Sequence, residues 1–108
     1  MNVERAEKLQ AFLNSDPGDS FSRFALALEY LKLDDLQTAR SHFEFIRDND
    51  PDYIGVYYHL GKLYERIDEP EFAMKTYITG ISIARKTQDH HAASELEQAQ
   101  NELYTDDI

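Results

Sequence analysis

The chain has no cysteine, and among its 108 residues there are only four glycines and three prolines. The missing cysteine removes disulfides and thiolate chemistry. Four glycines leave little from which to build a phosphate-cradling loop, and neither a zinc-protease helix signature nor a nucleophile elbow is present. Long apolar runs are also missing, so no segment can span a bilayer, and Glu4, Arg5, Glu7 and Lys8 interrupt the apolar residues of the first fourteen positions, which breaks any signal-peptide core. These features point to a soluble, cytoplasmic protein. Positive charge is in short supply: 11 Lys and Arg stand against 21 Asp and Glu, a net charge of −10. Phosphate polyanions and anionic membrane surfaces are repelled at long range, which disfavours nucleic acid and membrane as partners.

What is present is helix-forming. Glu, Ala, Leu, Lys and Gln are abundant, and the few breakers mark boundaries between six helices expected at about 2–14, 20–33, 36–48, 54–66, 70–87 and 89–104. Asp16-Pro17-Gly18-Asp19 and Asp48-Asn49-Asp50-Pro51-Asp52 supply turn formers and N-cap acceptors. Asp68 with Glu71 reads as a capping box around Pro70. Connections this short make neighbouring helices antiparallel.

The helices repeat. Pro17 and Pro51 are 51 − 17 = 34 residues apart, and Leu26/Leu60, Tyr30/Tyr64, Asp34/Asp68, Ala39/Ala73 and Phe43/Tyr77 recur at the same interval. Such a period is the mark of stacked helical hairpins. Small residues at Ala27, Gly61, Ala39 and Ala73 allow the helices of a hairpin to approach closely, while Leu26, Tyr30, Leu60 and Tyr64 fill the space between them. Leu33 is expected on the same face as Leu26 and Tyr30.

Arg23-x2-Leu26-Ala27-x2-Tyr30…Ala39-x3-Phe43…Pro51 and Tyr57-x2-Leu60-Gly61-x2-Tyr64…Ala73-x3-Tyr77 resemble two successive tetratricopeptide repeats, whose pattern places an aromatic, Leu-Gly, Tyr, Ala, Phe and Pro at these offsets. Three positions depart from it: Arg23 stands at the leading aromatic, Gly80 lies inside the second helix of repeat two, and Arg85 takes the place of a closing proline. The resemblance implies an all-α fold of antiparallel helical hairpins stacked as a short right-handed superhelix. One domain is expected over 1–108: a capping helix in 1–19, repeats at 20–53 and 54–87, and a C-terminal capping helix with an acidic tail at 88–108. Val3, Ala6, Leu9, Phe12 and Leu13 suit the first cap, and Ala92, Leu96, Ala99 and Leu103 the second. The last segment carries six acids (Asp89, Glu95, Glu97, Glu102, Asp106, Asp107) and no Lys or Arg.

Proteins of this family bind extended peptides or helices on a concave face lined by the first helix of each hairpin. In this chain that implies Phe21, Phe24, Leu28, Leu31 and Lys32 from helix two and Tyr58, His59, Lys62 and Arg66 from helix four as partner-binding residues. The first set is apolar. Either it faces the groove, exposing on the order of 400 Å², or the N-terminal helix and longer hairpin packing cover it. In the second set Tyr58 can stack, and Lys62, Arg66 and Lys32 can meet a carboxylate, although Lys62 can also pair with Glu65. Clamping of acidic chaperone tails is disfavoured, because Phe24, Leu28, His59, Asp89 and Ala93 stand where lysine, asparagine and arginine would be required.

His91, Glu95 and Asp89 suggest at most a weak metal site, and adjacent histidines at an exposed helix start are ordinary surface. No cofactor and no enzymatic activity is expected. The reading is a non-catalytic interaction module or adaptor for a protein or peptide. Its alternative is a homodimer joined through the apolar stripe of helix two, and a third reading gives the acidic C-terminal segment to a basic partner.

Overall fold

A computed structural model describes residues 3–106, with the side chains of Val3 and Asp106 outside the description. Expectations for Asn2, for the Val3 side chain and for the Asp106 and Asp107 carboxylates therefore lie outside the described residues. The described residues form six helices: α1 (Val3–Ser15), α2 (Ser20–Lys32), α3 (Leu36–Asn49), α4 (Gly55–Arg66), α5 (Pro70–Lys86) and α6 (His90–Asp106). They fall into two compact units, residues 1–53 and 54–108.

In the first unit α2 packs against both α1 and α3. Ala6, Leu9 and Leu13 of α1 bury their side chains in a cluster with Ala25, Leu26 and Tyr30 of α2. The stripe of α1 is narrower than its spacing suggests, since Phe12 remains 60% exposed. Leu33, expected on the face of Leu26 and Tyr30, is also exposed, because the helix ends at Lys32 and Leu33 already belongs to the turn. Between α2 and α3, Ala39, Phe43 and Ile46 are buried.

The second unit joins α4, α5 and α6, each in contact with the other two. Its interior holds Val56, Tyr57, Leu60, Leu63, Tyr64, Ala73, Tyr77, Ala84, Leu96 and Ala99. Gly61 is required by closeness: a Cβ placed there would lie 2.2 Å from Cε1 of Tyr77. α5 runs on to Lys86, past Ile83, the position 34 residues after the end of α3 at Asn49. With arginine in place of the closing proline nothing stops it earlier.

The turns after α2, α4 and α5 share one geometry. Asp34, Asp68 and Gln88 adopt the left-handed conformation with φ of 63°, 61° and 61°. The following amides, of Asp35, Glu69 and Asp89, reach back to the carbonyls of Tyr30, Tyr64 and Ala84 at 3.0, 2.8 and 2.8 Å. This closes the helix ends and satisfies carbonyls that would otherwise be orphaned. It also corrects the expected capping box: Asp68 is spent on the turn, and α5 begins at Glu69 and Pro70 with no side-chain cap. Aspartate caps are real at Asp19, Asp35 and Asp89, which accept the amides of Ser22, Thr38 and Ala92.

Two departures from the repeat pattern are one exchange of bulk. Position 80 corresponds to 80 − 34 = 46, and 57 to 23. In the second unit Tyr57 is fully buried against Gly80, where a Cβ would lie 2.6 Å from that of Tyr57. In the first unit the aromatic is replaced by Arg23 and the glycine by Ile46, which line the same cleft. Arg23 leaves the interior, stacks 3.8 Å from the Phe45 ring centroid and donates to the Pro17 carbonyl at 3.0 Å. Ile46 occupies the interior instead and is 1% exposed.

Candidate interaction surface

On α2 of the first unit, Phe21 is 67% exposed, while Phe24, Leu28 and Leu31 are half-buried. Phe24 is partly a structural residue: its ring lies 5.8 Å from that of Phe43 and 5.5 Å from that of Tyr53. The buried side chains of α1 meet Ala25, Leu26 and Tyr30, a different face of α2. Lys32 is exposed, with Nζ 3.5 Å from Oε1 of Glu29. Glu29 also receives Nε of Arg5 at 2.9 Å and is 3% exposed. A buried carboxylate needs such partners, so Arg5 and Lys32 hold it. Glu29 was not among the residues expected to matter. An acid inside a helix apolar almost all the way round was its visible signal, but the partner in α1 carries none.

On α4 of the second unit, Tyr58 and His59 are half-buried and meet edge to face at 5.6 Å. Burial holds the His59 imidazole below its ordinary pKa, with Glu95 of α6 acting in the opposite sense. Lys62 Nζ sits 3.7 Å from both Glu65 and Glu102, and 5.7 Å from the Tyr58 ring. Its charge is thus directed to the chain's own carboxylates, one of them in α6. Arg66 is exposed. Behind this face, Tyr77 donates its hydroxyl to Glu65, and burial followed by that carboxylate pushes the phenol far above its usual range.

The two sets of expected residues thus lie in different units. Chemically, the first offers apolar contact and the second offers stacking and hydrogen bonding. Among the described residues no three His, Asp or Glu side chains are grouped to hold a metal ion, and no helix is long and apolar enough to cross a membrane.

Two repeats of antiparallel hairpins, with Leu26/Leu60 and Ala39/Ala73 buried at equivalent positions, define a helical-hairpin repeat protein. Comparison with solved structures gives the family. A tetratricopeptide repeat domain protein from Salinibacter ruber, solved in solution, is 48% identical, with 82% of this chain and 89% of that one covered and a TM-score of 0.78. A crystal structure of a tetratricopeptide repeat domain protein from the same organism gives 46% identity, 81% and 97% coverage, and a TM-score of 0.78. The chain belongs to the tetratricopeptide repeat family. The TPR2B domain of yeast Sti1, in complex with pHsp70, is similar in fold at 15% identity, with 94% and 81% coverage and a TM-score of 0.85. No family model and no curated protein matches the chain.

Proposed function

We propose that the chain is a non-catalytic protein-interaction module, an adaptor that takes a peptide or helix of another protein on the first helices of its hairpins. The observation that carries this reading is Phe21. An aromatic ring 67% exposed, in line with half-buried Leu28 and Leu31, forms an apolar strip that α1 does not use. What favours it over a singly exposed side chain is its continuity with Leu28 and Leu31 on one face of α2, and the Sti1 domain of the same fold is found with a partner bound. The second unit offers a surface of its own on α4, where Tyr58 and His59 supply stacking and orientation, with Lys62 and Arg66 at their edge. A short surface buries less than a standard interface, so affinity is micromolar or weaker.

The test is selection from a random peptide display library, with Phe21→Glu as the counter-selecting variant and light scattering on both proteins over a hundredfold range of concentration. Enrichment of peptides that bind wild type and not the variant supports the reading. A wild-type dimer that Phe21→Glu converts to folded monomer, with no enriched peptide, replaces it by the homodimer reading.

A further inference from the structure

Resting on the reading just given, we infer that the segment docked on α2 carries lysine or arginine beside its apolar side chains, and that an acidic segment is refused. At its N-terminal end the apolar strip is bordered by carboxylates. At the N-terminal end of α2, the 16–20 turn and the end of α3 come together, and Ser20 Oγ donates to Asp50 at 2.7 Å. Asp19, beside it, accepts from the Ser22 amide at 3.3 Å and the Ser22 hydroxyl at 2.7 Å. Among the described residues neither carboxylate has a cation within ion-pair distance, so both keep acceptor capacity. Asp52, two residues on, is exposed.

These carboxylates lie beside the strip. Tyr53, whose ring packs 5.5 Å from Phe24, has its phenol pushed up by burial and then by Asp19 and Asp50. The two cations of α2 itself are engaged elsewhere. Arg23 is turned to Phe45, His42 and the Pro17 carbonyl, and Lys32, at the far end of α2, is held by Glu29. A ligand carboxylate would meet no unengaged cation of α2 and would approach a chain of net charge −10. A ligand ammonium or guanidinium would meet Asp19 and Asp50 while its apolar neighbours cover Phe21 and Leu28. The field of α2's own N-terminus, equivalent to about half a positive charge, opposes a cation but is smaller than what the two carboxylates supply together.

The experiment is fluorescence anisotropy with a labelled amphipathic peptide of leucine, alanine and lysine, and a matched peptide with glutamate for lysine, at low and raised salt. Wild type is compared with Phe21→Ala and with the double variant Asp19→Asn/Asp50→Asn. Asparagine preserves the cap and the Ser20 hydrogen bond, and circular dichroism checks that each variant is folded. The expected result is binding of the lysine peptide alone, weakened about tenfold by Phe21→Ala. The double variant should weaken it about two- to fivefold per exposed ion pair. Equal binding of both peptides, or no effect of the double variant while Phe21→Ala still acts, overturns the charge assignment and leaves the interaction reading standing. Binding of the lysine peptide that ignores Phe21→Ala reflects general attraction to an acidic chain and overturns α2 as the docking face. Binding of neither peptide overturns the charge assignment, and the display selection above then judges the interaction reading separately.

Discussion

Replacing Gly61 by alanine tests whether the second unit is packed as tightly as described. In an exposed helix interior the substitution would stabilise by about 1 kcal/mol through helix propensity. Here the added methyl would lie 2.2 Å from Cε1, 2.7 Å from Cζ and 2.8 Å from Cδ1 of Tyr77. Contacts that short force the ring to move, yet Tyr77 is fully buried and its hydroxyl is tied to Glu65. Overpacking costs about 1–3 kcal/mol, and loosening a hydrogen bond to a charged group about 1.5–3 kcal/mol. The sum outweighs the propensity gain, for a net loss of about 1.5–5 kcal/mol. The first unit shows the way out: at the equivalent positions Ala27 faces a hairpin partner without a hydroxyl, Phe43, and both are fully buried. Adding Tyr77→Phe to Gly61→Ala should therefore recover part of the loss, because the untethered ring can shift. Urea denaturation followed by circular dichroism on the four members of the cycle measures the coupling. A Gly61→Ala variant as stable as wild type would refute the packing argument, and strictly additive variants would refute the role of the tether.

Leu60, fully buried, should cost about 2–5 kcal/mol when truncated to alanine, and thermal melting checks it. Gln88→Gly should raise stability by about 0.5–1 kcal/mol, since Gln88 has φ 61° and side chains other than glycine strain there; a lower denaturation midpoint would contradict it. The imidazoles of His42 and His59 are both held below their ordinary 6.5, by burial first in each case. The unfolded chain therefore takes up protons before the folded one does. Stability is expected to be full above pH 6.5 and to fall as the pH drops from there towards the folded values. Urea midpoints across that window, in wild type and in His42→Gln/His59→Gln, should slope only in the wild type.

The hairpins and their boundaries were legible because the breakers are few and the 34-residue period fixes which residues face inward. Leu26, Leu60, Ala39 and Ala73 could be placed from spacing alone, as helical periodicity predicts burial wherever neighbours lie on both sides. The same periodicity overstated the core at Phe12 and Leu33, since it gives a face but not how much of that face a neighbour covers. Asp68 misled because aspartate serves both N-caps and left-handed turns, and only the backbone chooses between them. The cations of the expected interaction faces could be named, but the glutamates engaging them could not all be found. Glu29 meets Arg5 across 24 residues and Lys62 meets Glu102 in α6, contacts that no local pattern encodes.

The exchange of bulk between Arg23/Ile46 and Tyr57/Gly80 bears on how such a chain can change over generations. Its two hairpins look interchangeable by their shared pattern, yet each is keyed by a large–small pair of opposite arrangement. Gene conversion that copied α4 into the place of α2 would bring an inward-facing tyrosine to where Ile46 already fills the interior. The reciprocal copy would bring an arginine to face Gly80 and leave the interior under-filled. Only an exchange that moves both helices of a hairpin together keeps the fit, so the packing makes the pair of helices, and not the single helix, the piece that can be swapped.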